Sequence, residues 1–307
     1  MHEPLSHYMK VGLIHFMAYP VSNGKGPVAE TFRNICLDSF FEVAEVTWIQ
    51  DEEVRTQVKQ MKEVSHLSVT FGAQPCLLSQ KMNINDLDEQ KRMKALQQLK
   101  DNVDEAYEIG ATALAFLSGP YEQETREASY KALVSSTKEL CAYAASKGSM
   151  KISLEVFDYD IDKKSLIGPA NLAARFAKEI RKDYPEFGLM VDLSHIPLLH
   201  ETIEESLAPV KEFIVHAHMG NCVMKNPSLP GYGDQHPRFG FPNSENDVKE
   251  LADYLEYLLS IGFLNTKTRP VVSFEVKPQA GEDPELVIAN AKRTLLRSWA
   301  LVKPKIN

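Results

Sequence analysis

FIVHAHM, residues Phe213–Met219, is a short apolar run carrying two histidines two positions apart. Side chains alternate faces along a strand, so His216 and His218 point the same way. Alone, such a pair reads as satisfied core histidines, and its meaning depends on what the rest of the chain sets beside it. Seven similar runs surround it: VGLIHFMAY (11–19), FFEVAEVTWI (40–49), HLSVTFGAQ (66–74), ATALAFLSG (111–119), MKISLEVF (150–157), FGLMVDLSH (187–195) and PVVSFEVKP (270–278). They are near-continuous in apolar residues, as strands covered on both faces are. Helix-period segments lie between them, among them Asp86–Ile109, Glu122–Lys147, Leu166–Tyr184, Glu245–Ile261 and Asp283–Val302. Ser165 and Ser244 precede two of these as candidate N-caps, and Gly110, Gly148 and Gly262 follow helix ends.

Eight strand–helix units with no break in composition predict an α/β fold, a single (β/α)8 barrel over residues 1–307. An open doubly wound sheet is the competing architecture, but no glycine fingerprint follows the first strand. The stretch 220–243, GNCVMKNPSLPGYGDQHPRFGFPN, is rich in glycine and proline and has no period. A loop of this length after strand seven falls on the carboxyl face, where barrel active sites form.

Composition narrows the class. The 307 residues are 44% hydrophobic and 25% charged, with a formal net charge of −8. That balance argues against a nucleic-acid partner, which calls for a basic excess. The segment MHEPLSHYMK has no apolar signal region, and no stretch reaches the length of a membrane span. Cys36, Cys76, Cys141 and Cys222 are scattered with no CxxC pair, which suits a reducing compartment. The chain therefore reads as cytoplasmic, with neither a membrane nor a nucleic-acid partner.

Polar residues inside the apolar strands form a constellation. Glu155 lies in strand five, Asp192 and His195 at the end of strand six, His216 and His218 in strand seven, and Glu275 in strand eight. Buried charges are costly unless paired or metal-bound, and these carboxylates would repel one another without a cation. Glu155, Asp192, His218 and Glu275 make an oxygen-rich set with one imidazole, which suits Mn²⁺, Mg²⁺ or Co²⁺, admits Zn²⁺, and excludes a thiolate-type structural zinc. His218 is taken as the ligand because it lies nearer the carboxyl end of its strand. His216, one layer deeper on the same face, is then a supporting donor behind it.

These residues resemble the metal motif of the xylose isomerase-like barrels, the sugar phosphate isomerase/epimerase superfamily, over nearly the whole chain. In its ketose 3-epimerases the equivalent Glu, Asp, His and Glu bind one Mn²⁺. The two glutamates exchange the proton, and the histidine after the aspartate touches substrate. The resemblance thus implies Mn²⁺ as cofactor, Glu155 and Glu275 as ligand and acid/base, and His195 as a catalytic substrate contact. The chain departs from the epimerase pattern in two places. MGNCVMKN offers Lys225 where those enzymes have an arginine, and FDYDID offers Asp158 and Asp160 where they have a second glutamate. Asp234 and His236, in GDQHPRFG, are expected to contact substrate, to hold a second metal with His195 as in the superfamily's apurinic endonucleases, or to order the loop through hydrogen bonds. Those endonucleases also need histidines after strands three and four, where this chain has FGAQP and FLSGP.

GYGDQHPRFG and SFEVKPQAGEDPELVIANAKRTL look like the metal-binding subunits of bacterial C-glycoside deglycosidases. That likeness implies a lyase that eliminates the aglycone from a 3-oxo-glycoside, an oligomer, and a small β subunit as partner. A ketose or sugar-phosphate isomerase or 3-epimerase is the alternative, and a non-catalytic sugar-binding barrel a remote one. His15, Trp48 and Lys277 are further candidate substrate contacts, while His7, His66 and His200 read as surface residues.

Overall fold

The computed structural model describes residues 3–303. Eight strands close into one barrel: β1 (Lys10–Ile14), β2 (Val43–Val46), β3 (Ser68–Gly72), β4 (Ala113–Leu117), β5 (Lys151–Glu155), β6 (Gly188–Asp192), β7 (Ile214–Gly220) and β8 (Val271–Glu275). Each pairs in parallel with the next, and β8 returns to β1. The expected (β/α)8 barrel is the architecture observed. Each strand is shorter than its apolar run; VGLIHFMAY, for example, turns helical at His15–Ala18 although His15, Phe16 and Ala18 are buried.

Long helices pack outside the strands: Val28–Leu37, Glu52–Ser65, Glu89–Glu108, Arg126–Lys147, Ala170–Arg181, Val248–Ser260 and Pro284–Leu301. After β6 the chain makes only the short helices His195–Leu198 and Ile203–Leu207. Gly110 and Gly262 take left-handed φ values of +72° and +79° past their helix ends, which a residue without Cβ adopts without strain.

Two expected caps are corrected. The helix after β5 starts at Ala170 behind Pro169, not after Ser165. The intervening chain is spent on a turn in which the buried Asp158 carboxylate accepts from the backbone N–H groups of Ile161, Asp162, Lys163 and Lys164 at 2.8–3.2 Å. Ser244 likewise caps nothing. Its Oγ donates back to Phe241 O, and the helix starts at Val248 behind Asp247, whose N–H donates to Glu250 at 3.1 Å.

The long connection after β7 is tied to the barrel end. Asn221 Oδ1 accepts from Cys222 N and Asn246 N, its Nδ2 donates to Arg238 O, and Asn246 Nδ2 donates to Gly220 O and Leu193 O. Phe239 is buried against Phe274 of β8. Lys277 N donates to His236 O at 2.7 Å, which pins His236 in a left-handed conformation (φ +48°) that a non-glycine residue enters only under constraint. Among the described residues no helix is long and apolar enough to cross a membrane.

Candidate metal centre

Glu155, Asp192 and Glu275 are the last residues of β5, β6 and β8, and His218 sits beside Asp192 in the β6–β7 register. The barrel thereby delivers all four side chains to its carboxyl end. All four are buried, and one donor atom from each lies within 4.8 Å of the others. Bonds of roughly 2.0–2.3 Å to a shared cation hold two donors at most about 4.6 Å apart, so the cluster has the dimensions of a coordination shell. Gly220 makes this closeness attainable: a Cβ there would stand 3.1 Å from Asp192 Oδ1 and 3.0 Å from Ser194 Cβ.

The hydrogen bonds around these side chains leave particular atoms over. Gln74 Nε2 donates to Glu155 Oε2 at 2.6 Å, and Glu155 Oε1 has no partner. Ser194 donates to Asp192 through its backbone N at 2.8 Å and its Oγ at 2.5 Å. His218 Nδ1 lies 2.8 Å from Glu275 Oε2 and 3.3 Å from Glu155 Oε1, yet all three atoms lack a hydrogen bond. Buried polar atoms are nearly always paired. Three such atoms without a hydrogen bond, the two carboxylate oxygens crowded to 2.8–3.3 Å from the imidazole nitrogen, fit a cation between them.

Electrostatics agrees. Two carboxylates 4.8 Å apart repel by roughly 3.5 kcal/mol at an effective dielectric of about 20. Burial, with the neighbouring Glu155, pushes the Glu275 carboxyl above its ordinary range against the pull of His236. Burial would lower the histidines, but carboxylates overcome it. Asp234 and Asp192 lift His195 to about 10, and Glu275 and Asp234 lift His236 to about 9. The same field that draws protons onto imidazoles would draw in a divalent cation. The four buried donors, mostly oxygen, suit such an ion.

Beside the centre lies a cavity of about 210 Å³, lined by Glu155, His218, Glu275, Asp234, His236 and Lys277, with Ile14, Phe16, Met17 and Leu78 as apolar wall. The volume suits a small polar molecule, being below the roughly 300–1,000 Å³ of drug-sized ligand sites.

The other expected site residues distribute unevenly. Asp234 and His236 do reach the centre: His236 Nε2 is 2.7 Å from Asp234 Oδ1 and 3.4 Å from Glu275 Oε1. His195 does not line the cavity. It stacks on Phe157, its Nδ1 donates to Val156 O at 2.8 Å, and its Nε2 lies 3.1 Å from Asp234 Oδ1. Asp192, His195 and His236 also bring donor atoms within 4.8 Å of one another. His15 is turned away from the cavity with its Nε2 2.7 Å from Thr31 Oγ1, because the chain becomes helical just where the strand was expected to continue. Trp48 is half-buried against the loop at Gly24, also off the cavity. His7, His66 and His200 are exposed, as is Lys225.

Three residues near the centre were not anticipated. Gln74, just past β3, holds Glu155. Lys163 lines the cavity and pairs with Asp234 at 2.8 Å. Glu45 of β2 is 3% exposed and reaches across the lumen to both strand-seven histidines, His216 Nε2 at 2.7 Å and His218 Nε2 at 3.2 Å. A glutamate inside VAEV was a signal of the same kind as Glu155 inside SLEVF.

The sequence matches the family model described as "Xylose isomerase-like TIM barrel" over residues 32–286. No curated protein matches it. Solved structures similar to it include a D-psicose 3-epimerase with D-tagatose from Clostridium cellulolyticum H10 (TM-score 0.70, 16% identity, covering 96% of this chain and 100% of that one). Others are a 3-keto-D-glucoside 4-epimerase from E. coli (0.67, 15%, 93% and 98%) and the IolI protein with a bound zinc atom (0.73, 16%, 96% and 99%). At these identities the structural likeness speaks for the fold, while the family match spans most of the sequence: the chain belongs to the xylose isomerase-like TIM barrel family.

Proposed function

We propose that the protein is a divalent-metal-dependent enzyme that removes a proton from the carbon beside a sugar carbonyl, with Glu155, Asp192, His218 and Glu275 holding the metal and Mn²⁺ as the preferred ion. The observation that carries this reading is the set of buried atoms without a hydrogen bond, Glu155 Oε1, His218 Nδ1 and Glu275 Oε2, crowded together on the wall of a small cavity. A divalent cation held there polarises a carbonyl and acidifies the neighbouring C–H. Glu155 and Glu275 line the same cavity and are the groups that take and return the proton. His236 adds a third proton-handling group in that wall, and Asp234 and Lys277 flank the substrate. His195 acts by holding Asp234, with direct substrate contact requiring it to leave Val156 O. The apolar wall of Ile14, Phe16 and Leu78 limits water near the reacting carbon.

The preferred outcome is elimination from a 3-oxo-glycoside. A base takes the C2 proton to give an enolate. The C3 carbonyl then re-forms, C1=C2 becomes a double bond, and the C1–aglycone bond breaks with its electron pair leaving on the aglycone, which is protonated. Support comes from the third proton-handling group, His236, and from the absence of the epimerase arginine, since Lys225 is exposed. This reading also calls for a small β subunit over the carboxyl face, with co-purification as its readout. Ketose 3-epimerisation is the second reading, favoured by the pair Glu155 and Glu275 on one cavity and by the 3-epimerase structures of similar fold. The test offers a 3-oxo-C-glucoside and a free ketose in D₂O, with and without Mn²⁺. Metal-dependent aglycone release supports the lyase. Clean C3 inversion by the chain alone defeats it, and the absence of both aglycone release and deuterium uptake into either compound defeats both readings.

A further inference from the structure

Glu45 is a buried carboxylate that the proton chemistry above does not use. Its Oε1 lies 2.7 Å from His216 Nε2 and 3.2 Å from His218 Nε2, and its Oε2 lies 3.4 Å from the latter. An ionised carboxylate only accepts, so both imidazoles donate to it from Nε2. In a neutral imidazole the other nitrogen then carries the lone pair. In His218 that nitrogen is Nδ1, the unpaired buried atom between Glu155 Oε1 and Glu275 Oε2.

We propose that Glu45 is the positioning residue of the metal centre, fixing His218 so that Nδ1 rather than Nε2 faces the cation, with His216 anchoring Glu45 from below. The inference rests on the metal reading above. The geometry explains why a charged residue tolerates a full-lumen crossing from β2 to β7. A buried carboxylate is costly without donors, and here two Nε2–H groups meet it from the facing strand. The negative charge behind His218 also makes its Nδ1 a stronger donor to a cation in front. His216 lies one layer down, two residues earlier on β7, with its ring centroid 5.1 Å from that of His218. It holds the Glu45 carboxylate by the shorter of the two contacts, and Ser273 Oγ stands 3.4 Å from the same Nε2.

Glu45, His216 and His218 also bring donor atoms within 4.8 Å of one another, which raises a second cation between them as a rival. The contacts favour the hydrogen-bonded arrangement. Glu45 Oε1 is already at bonding distance from both Nε2 atoms, and only one carboxylate is present to offset a divalent charge.

The test uses the full-length protein stripped with a chelator and titrated with Mn²⁺, free Mn²⁺ being followed by electron paramagnetic resonance. Wild type should bind one equivalent. Glu45→Gln and Glu45→Ala should each bind it about 10–100-fold more weakly. In a His218→Ala background, Glu45→Gln should change affinity less than twofold, which a merely structural role for Glu45 would not produce. Should the Glu45 variants fail to fold, histidine ¹⁵N spectra of the wild type with Zn²⁺ report the same point, with His218 protonated at Nε2 and shifted at Nδ1. A wild type that binds no divalent cation overturns the metal reading and this inference together. Wild type binding one ion with Glu45→Gln equally tight, or His218 shifted at Nε2, overturns the inference while the metal reading stands. Two equivalents falling to one in Glu45→Gln makes Glu45 a ligand of a second ion and overturns it as well.

Discussion

Removing the cation should cost the fold a measurable amount, and the amount follows from the centre. Glu155, Asp192 and Glu275 bring one donor atom each within 4.8 Å of one another at the end of the barrel. Each carboxylate pair at that limit repels by roughly 3.5 kcal/mol at an effective dielectric of about 20. The unfolded chain separates these groups, so the cation binds the native state alone. At a free concentration of a hundred times its Kd it then stabilises by about 2.7 kcal/mol. With about 2.1 cal/mol/K of unfolding entropy per residue, a chain of 307 residues gains roughly 4 °C in Tm. The assay is scanning calorimetry of chelator-stripped protein against Mn²⁺, Mg²⁺, Co²⁺ and Zn²⁺ in turn. The rise should shrink sharply in Glu275→Gln, which removes one charged donor. A flat Tm with all four ions refutes the reasoning. So does a rise that persists in full when Glu155 and Glu275 are both replaced by glutamine, since the ion would then be binding elsewhere.

Glu155→Gln and Glu275→Gln should lower turnover by about 10²–10⁴ even at saturating metal, as loss of a general base does, measured by deuterium uptake into a ketose or 3-oxo-glycoside. His236→Ala should lower turnover far more than Tm, and equal loss of both would mark His236 as a loop-ordering residue. Lys163→Met leaves the Asp234 carboxylate, whose side chain is 2% exposed, without its lysine. Breaking a buried pair costs about 3–5 kcal/mol, and the partial exposure of Lys163 with two remaining histidine partners puts the expected loss of unfolding free energy at the low end, about 3 kcal/mol; an unchanged denaturation midpoint would contradict it. In the metal-free protein His195 and His236 are lifted to about 10 and about 9, above the ordinary histidine value of 6.5. Their contribution to stability is therefore complete below about pH 6.5 and lost as pH rises through 9–10, so the Tm of stripped protein should fall between pH 7 and 10. Saturating metal should flatten that slope, and a Tm of stripped protein that climbs over the range would reverse the sign and sink the assignment.

The barrel was legible because its signal is repeated eight times. Each strand is an apolar run of five or so residues, and each error of boundary, such as β1 ending at Ile14 instead of running past His15, leaves the count intact. Glu155, Asp192 and Glu275 were legible for a related reason. A charge at the end of an apolar strand has no bland explanation until a partner is found, and three such carboxylates on three strands had only Lys277 as a cation close by in sequence. The caps were less readable. Ser165 and Ser244 have the right side chains in the right neighbourhood, but the buried turn around Asp158 and the Asp247–Glu250 pair decide where the helices begin. Both depend on contacts that no single-residue preference records.

The residues missed at the centre share a different cause. Gln74 follows β3, Lys163 lies in the turn after β5 and Glu45 sits near the end of β2, and each acts on a partner 71 or more positions away: Glu155, Asp234 and His218. Spacing along the chain finds candidate ligands on neighbouring strands, because adjacent strands are also adjacent units of sequence. It does not find pairs that meet across the lumen, where β2 faces β7. Glu45 stood in VAEV as plainly as Glu155 in SLEVF, yet only closure of the barrel makes it the partner of His216 and His218. The opening pair of histidines is thereby explained twice over. His218 faces the unpaired carboxylate oxygens above, His216 faces Glu45 below, and one glutamate from the opposite wall holds both imidazoles in place.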